Sequence, residues 1–292
     1  REPMRETVVA DFVGRFHTTD VTSAEPVSGR ILLSHKRLVL ATGDFKTTIP
    51  LSKVIDVNLG TVPPALAEFF SDTVTIAYSD GDSKRTAIIE GKGENVERFK
   101  TVFFKVILSG QTVVVKHPSK RGGRVTDASD RKMKLKLSEA TLRLDGKGGD
   151  FDIDLGSVTS FSREKRDLGG KVRPALSVDH ASGGTTLTTI ITLPNNRKLN
   201  LLGRFLKLEY SELMEELEDL EFTEEQIEAL VTLYSAGGRA DLSQLLTGDV
   251  TETQIILDQL RDKELIRDVD GAMELSAKGQ AVVSDHIEDV NM

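Results

Sequence analysis

Apolar and polar residues alternate along most of the first part of the chain, which is the pattern of β-strands buried on one face. From about Asn95 the spacing of the apolar residues changes to three and four, which predicts an amphipathic helix. These elements form an antiparallel meander that ends in one helix. The alternation predicts strands at Val8–Phe16, Arg30–Leu33, Arg37–Leu40, Thr47–Leu51, Val54–Leu59, Thr73–Tyr78 and Arg85–Ile89.

The same pattern recurs 104 residues later, because residues 30–58 superimpose on residues 134–162 without a gap. Most of the matched positions lie two apart, as expected for the buried face of a strand. The chain therefore contains one β-rich module twice. The identical pairs are Leu33/Leu137, Ser34/Ser138, Leu38/Leu142, Leu40/Leu144, Ile49/Ile153, Leu51/Leu155 and Val54/Val158.

The second module is predicted to repeat the plan of the first. A helix from about Arg204 closes it, with a narrow seam of apolar residues spaced three and four apart. Its strands are expected at Thr112–Lys116, Met133–Leu137, Thr141–Leu144, Asp150–Leu155, Val158–Ser162, Leu176–Asp179, Thr185–Leu193 and Lys198–Leu202.

The remaining residues carry the pattern of a winged helix. Two capping-box sequences predict helix starts, and an Asp-Gly turn between two short strands predicts the wing. Three helices, a two-stranded wing and a closing helix from Ser276 make up this pattern. The capping boxes are Thr223–Gln226 and Thr251–Gln254, the short second helix is Leu242–Leu246, and the wing strands are Leu265–Arg267 and Ala272–Leu275.

The first module resembles the pleckstrin-homology (PH) superfold, in which an antiparallel meander precedes one amphipathic helix. The stretches Gly29–Leu40 and Ile49–Ile55 look like the strand pairs of PH and GRAM domains. The predicted fold class is therefore α+β, with two tandem PH-like (GRAM-like) modules, each closed by a C-terminal helix, and a C-terminal winged-helix domain. The expected domains are residues 1–110, 111–221 and 222–292.

The net charge of −8 is unevenly distributed. Residues 222–292 contain 5 Lys and Arg against 15 Asp and Glu, a net of −10, whereas residues 1–221 contain 33 against 31, a net of +2. Affinity for DNA depends on the neutralisation of phosphates by Lys and Arg. Nucleic-acid binding by the acidic winged helix is therefore not expected, and a role in protein interaction or dimerisation is favoured.

Composition and motifs give no support for catalysis. Cysteine is absent, which excludes disulfides, thiolate catalysis and Cys-ligated metals. The five histidines are scattered, and no nucleophile elbow or P-loop motif occurs. No apolar run approaches the roughly 18 residues of a membrane span, and the opening residues lack the apolar core of a signal peptide. A cytoplasmic, non-enzymatic protein without cofactor or metal is expected.

Basic residues gather in two stretches of the second module, which are predicted to be loops around Gly122-Gly123 and Gly169-Gly170. If the two loops converge on one edge, they could receive an acidic protein, a phosphoinositide-like head group or nucleic acid. The plain alternative is a pair of solvated loops that keep the protein soluble. The candidate partner-binding residues are Lys120, Arg121, Arg124, Arg131, Lys132, Arg163, Lys165, Arg166, Lys171 and Arg173.

Three segments together resemble the CheF family of archaeal taxis adaptors: Val8–His17, Gly29–Ala41 and the stretch from Ala277 to Asp289. The likeness spans nearly the whole chain, although its motifs are strand and helix patterns. It implies an adaptor that binds phosphorylated CheY on one side and the archaellum switch components ArlC, ArlD and ArlE on the other. CheC- and CheD-type proteins are further implied contacts, and the implied location is the base of the archaellum.

The assignment of surfaces to partners stays open. The basic stretches could accept an acidic face of CheY, or the winged helix could bind CheY instead. The acidic winged helix could equally meet a basic motor protein or form a homodimer. Two other functions also remain, a winged-helix transcription regulator and a membrane-surface PH-type scaffold. Salt-dependent DNA binding and liposome co-sedimentation would distinguish them from an adaptor.

Overall fold

The computed structural model shows an α+β protein with two large antiparallel sheets. Contacts between backbone positions divide the chain into two compact units, Arg1–Gln111 with Asn195–Phe205, and Thr112–Pro194 with Leu206–Met292. The structure describes residues 6–19, 25–60, 73–90, 94–138, 141–183, 185–218, 220–236, 239–240, 250–269 and 271–290.

The first sheet has seven strands and the order β4-β3-β2-β1-β7-β6-β5. Helix α1 (Glu94–Leu108) follows it and carries its buried aromatic residues toward the sheet; the rings of Phe99 and Phe12 lie 5.7 Å apart. The strands are β1 Val8–Thr18, β2 Val27–Ser34, β3 Arg37–Ala41, β4 Lys46–Pro50, β5 Val54–Leu59, β6 Thr73–Asp80 and β7 Ser83–Glu90.

The second sheet has eight strands, and seven of them follow the order β12-β11-β10-β8-β15-β14-β13. This is the order of the first sheet, with the short strand β9 added beside β8. The strands are β8 Thr112–Arg121, β9 Arg124–Val125, β10 Asp130–Leu137, β11 Thr141–Gly146, β12 Phe151–Asp154, β13 Val158–Asp167, β14 Val172–Ser182 and β15 Thr185–Thr192.

The repeat extends to the residue-level pairing of the strands. Leu33 lies opposite Leu38 in the first sheet, and Leu137 lies opposite Leu142 in the second. A short 3-10 turn begins at the equivalent positions Leu51 and Leu155, and the next strand starts with a bulge in both sheets. Apart from Ser138, all members of the identical pairs are buried. The duplicated apolar positions therefore form the inner faces of both sheets.

One predicted strand, Lys198–Leu202, is wrong. These residues belong to helix α2 (Asn196–Glu218), whose first turn is capped by the Asn195 side chain accepting a hydrogen bond from the Lys198 amide at 2.9 Å. The run of leucines resembled strand alternation, but Leu199, Leu202 and the fully buried Phe205 follow a helical spacing. With this correction, each sheet is followed by one long helix.

The C-terminal part contains three described helices, α3 (Glu224–Ser235), α4 (Val250–Asp262) and α5 (Ala277–Val290). Strands β16 (Arg239–Ala240), β17 (Ile266–Val269) and β18 (Ala272–Leu275) form a small sheet in the order β16-β18-β17. The predicted hairpin is confirmed, and β16 adds a third strand to it. The predicted short helix at Leu242–Leu246 lies outside the described residues.

The two predicted capping boxes have different outcomes. Thr223 caps α3 as predicted, with reciprocal hydrogen bonds to Gln226. Thr251 lies inside α4, because that helix already includes Val250, and the Gln254 side chain donates to Asp258 instead. The expected start of the last helix is confirmed, since the Ser276 hydroxyl accepts a hydrogen bond from the amide of Gly279.

Equivalent core positions of the two sheets should be equally sensitive to truncation. Leu40→Ala and Leu144→Ala each remove a fully buried side chain, and each is expected to lower the free energy of unfolding by about 2–5 kcal/mol. Leu32→Ala, on the half-buried outer face of β2, is the control and should cost less than about 1.5 kcal/mol. Urea unfolding followed by circular dichroism measures all three. Equal losses for Leu32 and Leu40 would contradict the assignment of the inner face.

Candidate functional site

The first basic group begins on the tight hairpin between β8 and β9. Arg121 and Arg124 face each other across the turn. Gly122 and Gly123 between them have φ values of +53° and +77°, a conformation that residues with side chains rarely adopt. The turn leaves both arginines exposed and Lys120 half-buried. Val125 follows directly and is 75% exposed, so an apolar side chain accompanies these charges.

Arg131 and Lys132 lie at the start of β10, and their side chains differ in the contacts they make within the protein. Arg131 donates hydrogen bonds to the carbonyl oxygens of Gly148 (3.1 Å) and Gly149 (3.4 Å). Its guanidinium carbon also lies 5.9 Å from the ring centroid of Phe151. Lys132 is exposed. Arg131 is thus tied to its own sheet, whereas Lys132 can reach a partner.

The second basic group also lies mainly on strands. The prediction of two basic loops was therefore wrong, because the cations of the first group belong to β8, β9 and β10. Arg163, Lys165 and Arg166 belong to β13, and Arg173 belongs to β14; only Lys171 lies in the connecting turn. The strand continues beyond Ser162 although its residues are polar on both faces. Backbone pairing with β14, which sets Arg166 opposite Arg173, maintains it without an apolar alternation.

Seven of these ten cations lack a carboxylate partner among the described residues. Arg166 has such a partner, because its guanidinium donates to both carboxylate oxygens of Glu164 at 2.7 and 3.0 Å, which raises the pKa of Arg166. The charge of the seven cations without such a partner is available to an external anion. Within the described ranges no ion pair is formed by Lys120, Arg121, Arg124, Lys132, Lys165, Lys171 or Arg173.

One contact joins the two groups. The amide of Gly169, in the β13–β14 turn, donates to a carboxylate oxygen of Asp130 at 2.8 Å. The fully buried Leu168 packs with Ile190 and Val114, which folds this turn against the sheet. The turn that carries Lys171 therefore meets the start of β10. The β8–β9 turn lies farther along β8, at the position where Arg121 pairs with Leu187.

The second sheet also contains a largely buried polar cluster that the sequence did not indicate. The Thr189 hydroxyl lies 2.7 Å from Nδ1 of His117 and 2.9 Å from Nε2 of His180. The His117 ring stacks on Phe151 with centroids 3.7 Å apart. Burial lowers the pKa of both histidines to about 4; for His117, the positive charges of His180, Arg131 and Arg121 add to the effect. Both rings are neutral near pH 7.

The adjacent strands β8, β15 and β14 bring this cluster together, so no local motif in the sequence could reveal it. The repeat contained a partial signal. His180 pairs with Val158 in the second sheet, as Tyr78 pairs with Val54 in the first. A histidine thus replaces a buried tyrosine at the same place in the fold, which marks a polar site particular to the second sheet.

His180 also lines a cleft of about 570 Å³ between the second sheet and the C-terminal elements of the same unit. Arg267 and Lys278 face the cleft together with acidic residues such as Asp154 and Glu264. Lys278 is paired with Glu264 at 3.0 Å and Glu216 at 2.8 Å, so the lining largely neutralises itself.

No metal site is found in the part of the chain that the structure describes, where His, Asp and Glu form no group of three able to hold an ion. In the same ranges, every helix is too short or too polar to cross a lipid bilayer.

Comparison with known proteins places the chain in a functional context. Residues 8–212 match the family described as archaeal chemotaxis signal transduction system protein F, CheF. Taxis protein CheF2 of Halobacterium salinarum is 46% identical over 289 residues, 99% of this chain and 100% of that protein. Taxis protein CheF1 of the same organism is 26% identical, covering 97% of this chain and 98% of the relative.

Among solved structures, Inner Membrane Complex Sub-compartment Protein 3 from Toxoplasma gondii covers 41% of this chain and 86% of its own. Its identity is 15% and its TM-score 0.27, a likeness too low to bear on fold or function.

The family match defines a signal transduction protein of archaeal chemotaxis. The chain belongs to the CheF family, as the resemblance of its strand and helix patterns indicated. Its role lies in chemotaxis signalling, which requires interaction with signalling partners.

The buried histidines should make stability fall in mild acid. Because their pKa values are lower in the folded than in the unfolded protein, the unfolded chain binds more protons between about pH 6.5 and 4. The free energy of unfolding should decrease as pH falls through this window, with His180 contributing roughly 3 kcal/mol at most.

Urea unfolding at several pH values, on the wild type and on His180→Gln, checks this expectation. The variant should be less stable at pH 7 but lose less stability between pH 6.5 and 4. An identical pH dependence in the two proteins would contradict the neutral, buried state of His180.

Proposed function

We propose that this protein is a non-enzymatic adaptor that links phosphorylated CheY to the archaellum motor. The observation that carries the proposal is the set of exposed cations on the second sheet without carboxylate partners in the described residues. An unpaired basic surface beside exposed apolar side chains favours the binding of an acidic protein over catalysis. The seven unpaired cations listed above, together with Arg131, Arg163 and Arg166, form the proposed CheY surface.

Electrostatics and apolar contact have separate tasks in this proposal. Response regulators are usually acidic around the phosphorylated aspartate, so the cations accelerate encounter with CheY more than they tighten the complex. Val125 and Val172, 75% and 71% exposed, lie on the two basic hairpins. They offer the apolar contact through which the protein distinguishes the phosphorylated conformation from the resting one.

The motor partners occupy a different surface in this proposal. ArlC, ArlD and ArlE are the proposed motor-side partners, and proteins of the CheC and CheD type are further contacts. The acidic C-terminal part, with a net charge of −10 over residues 222–292, suits a basic motor protein or a second copy of itself. The adaptor would then act on the cytoplasmic side, at the base of the archaellum.

The finer fold assignment belongs to the same proposal. Seven antiparallel strands followed by a helix, in the same order twice, support two PH-like modules at residues 1–110 and 111–221. Helices around a small antiparallel sheet support a winged helix at residues 222–292. Acidic residues at its surface, such as Asp258 and Asp262, disfavour contact with DNA phosphates.

A titration with CheY from the same organism tests the function and the surface together. Isothermal calorimetry should show binding that strengthens when beryllofluoride, a phosphoryl mimic, activates CheY. Arg121→Glu combined with Arg124→Glu should weaken this binding about tenfold or more, because two attractive charges become repulsive. The loss should be smaller at high salt.

Lys53→Glu combined with Lys84→Glu is the matched control, because it makes the same charge change at exposed lysines of the first unit. It should bind activated CheY nearly as the wild type does. Equal weakening by both double variants would reduce the effect to net charge, and no weakening by the arginine variant would remove CheY from this surface.

A further inference from the structure

We propose that the outer face of the first sheet is a second docking groove, for a partner segment that carries aliphatic side chains beside carboxylates. The groove lies on strands β1 to β4, in the unit that does not contain the proposed CheY surface. The inference goes beyond the proposed function, because it identifies a binding surface and the chemistry of its occupant independently of CheY.

The groove is formed by residues that point away from the core. Alternation along β2 and β3 sends Leu33 and Leu40 inward, so Leu32, Val39 and Ala41 point outward. Leu32 lies opposite Val39 across the strand pair, which makes a continuous apolar floor. Leu32 and Ala41 are half-buried, whereas only 8% of Val39 is exposed, so Val39 forms the bottom of the groove. The groove has a volume of about 400 Å³, and its outward-facing lining is Glu6, Val8, Arg30, Leu32, Arg37, Val39, Ala41 and Lys46.

The repeat supplies an internal comparison for this face. An antiparallel sheet with one solvated side normally presents polar residues outward. The second sheet follows this rule at each equivalent position, 104 residues farther along, whereas the first sheet places apolar residues there. The contrasting pairs are Leu32/Lys136, Val39/Arg143 and Ala41/Asp145.

The charged residues on the outer face of the second sheet form ion pairs with one another. Asp145 lies 2.5 Å from both Lys136 and Arg143. Arg143 also lies 3.2 Å from Asp150 and 3.3 Å from Asp152. The same backbone frame can therefore close its outer face with an ion-pair network. An apolar floor on the first sheet is consequently not imposed by the fold.

The rim of the groove shows which charge it accepts. Glu6 enters one end, where its carboxylate accepts a hydrogen bond from the Ser34 hydroxyl and lies 2.5 Å from the Arg37 guanidinium. These interactions, the Ser34 bond foremost, lower the pKa of Glu6. The groove thus already holds a carboxylate at one point, and surface ion pairs of this kind exchange partners at little cost.

The remaining charges favour an acidic occupant. Arg30 is paired with Asp11 at 2.7 Å, and Arg37 is paired with Glu6. The three cations of the lining therefore leave a net of +1 against these two carboxylates, and the charge that remains unpaired is that of Lys46. Lys46 forms no ion pair with any described residue. Apolar floor and basic rim together select a protein segment in which valine, leucine or isoleucine alternates with aspartate or glutamate.

The test replaces the groove with the face of the second sheet. The triple variant Leu32→Lys/Val39→Arg/Ala41→Asp installs the Lys136, Arg143 and Asp145 network on the equivalent positions. The other two carboxylates around Arg143, Asp150 and Asp152, have Lys46 and Thr48 at the equivalent positions, so the variant carries only part of the network. A cooperative thermal unfolding transition verifies that the variant folds. The variant gains one net positive charge, so loss of an acidic ligand could not arise from repulsion.

The probe is a library of random peptides displayed on phage and selected on the wild-type protein. Selected peptides should be rich in Asp, Glu and aliphatic residues, and should bind the triple variant at least about tenfold more weakly in fluorescence anisotropy. Arg37→Gln/Lys46→Gln should reduce the acidic preference while aliphatic preference remains. Activated CheY should bind the triple variant as it binds the wild type. Failure of the groove proposal is therefore distinguishable from failure of the CheY surface.

Three results would overturn the proposal. The first is a selection that yields no acidic and aliphatic consensus, and the second is a set of peptides that bind the triple variant as well as the wild type. The third is a dimer of the wild type, seen in sedimentation equilibrium, that the triple variant loses. That outcome would assign the groove to a second copy of this chain instead of a partner segment.

Discussion

Both sheets depend on the cross-strand packing of buried aliphatic residues at alternate positions. Leu33 against Leu38, and Leu137 against Leu142, hold neighbouring strands so that every second side chain faces the core. A slip of one residue would move this whole set into solvent and bring the outer face inward. The register therefore determines more than stability, because it decides which residues are offered to a partner on the opposite face.

A duplicated inner face leaves the two outer faces free to differ. The second sheet closes part of its outer face with the Arg143 network and extends a basic hairpin at β13–β14. The first sheet presents an apolar groove with a basic rim at the equivalent place. Two surfaces of different chemistry on one repeated frame are what an adaptor requires, since it must bind two partners without confusing them.

Sequence patterns predicted the elements that follow a simple period and missed those held by tertiary contacts. Strands such as Val54–Leu59 and the Thr223 cap were found because their signals are local. The prediction of a strand at Lys198–Leu202 was wrong because a run of leucines fits the strand period of two and the helical period of 3.6 equally well. Only its packing distinguishes them. The strand β13 beyond Ser162 has no apolar alternation and exists through its pairing with β14.

The candidate cations could be listed from charge alone. The contact between Gly169 and Asp130, and the His117–Thr189–His180 cluster, could not be predicted, because they arise between strands far apart in sequence.

Simultaneous binding of both sides of the pathway by one molecule is the property that defines an adaptor. Sedimentation velocity of this protein with beryllofluoride-activated CheY and a purified ArlC, ArlD and ArlE preparation would measure it. An adaptor should give a single faster-sedimenting species that contains all components and that dissociates when activation of CheY is omitted. Mutually exclusive binding of CheY and the motor components, or a complex indifferent to activation, would contradict an adaptor mechanism.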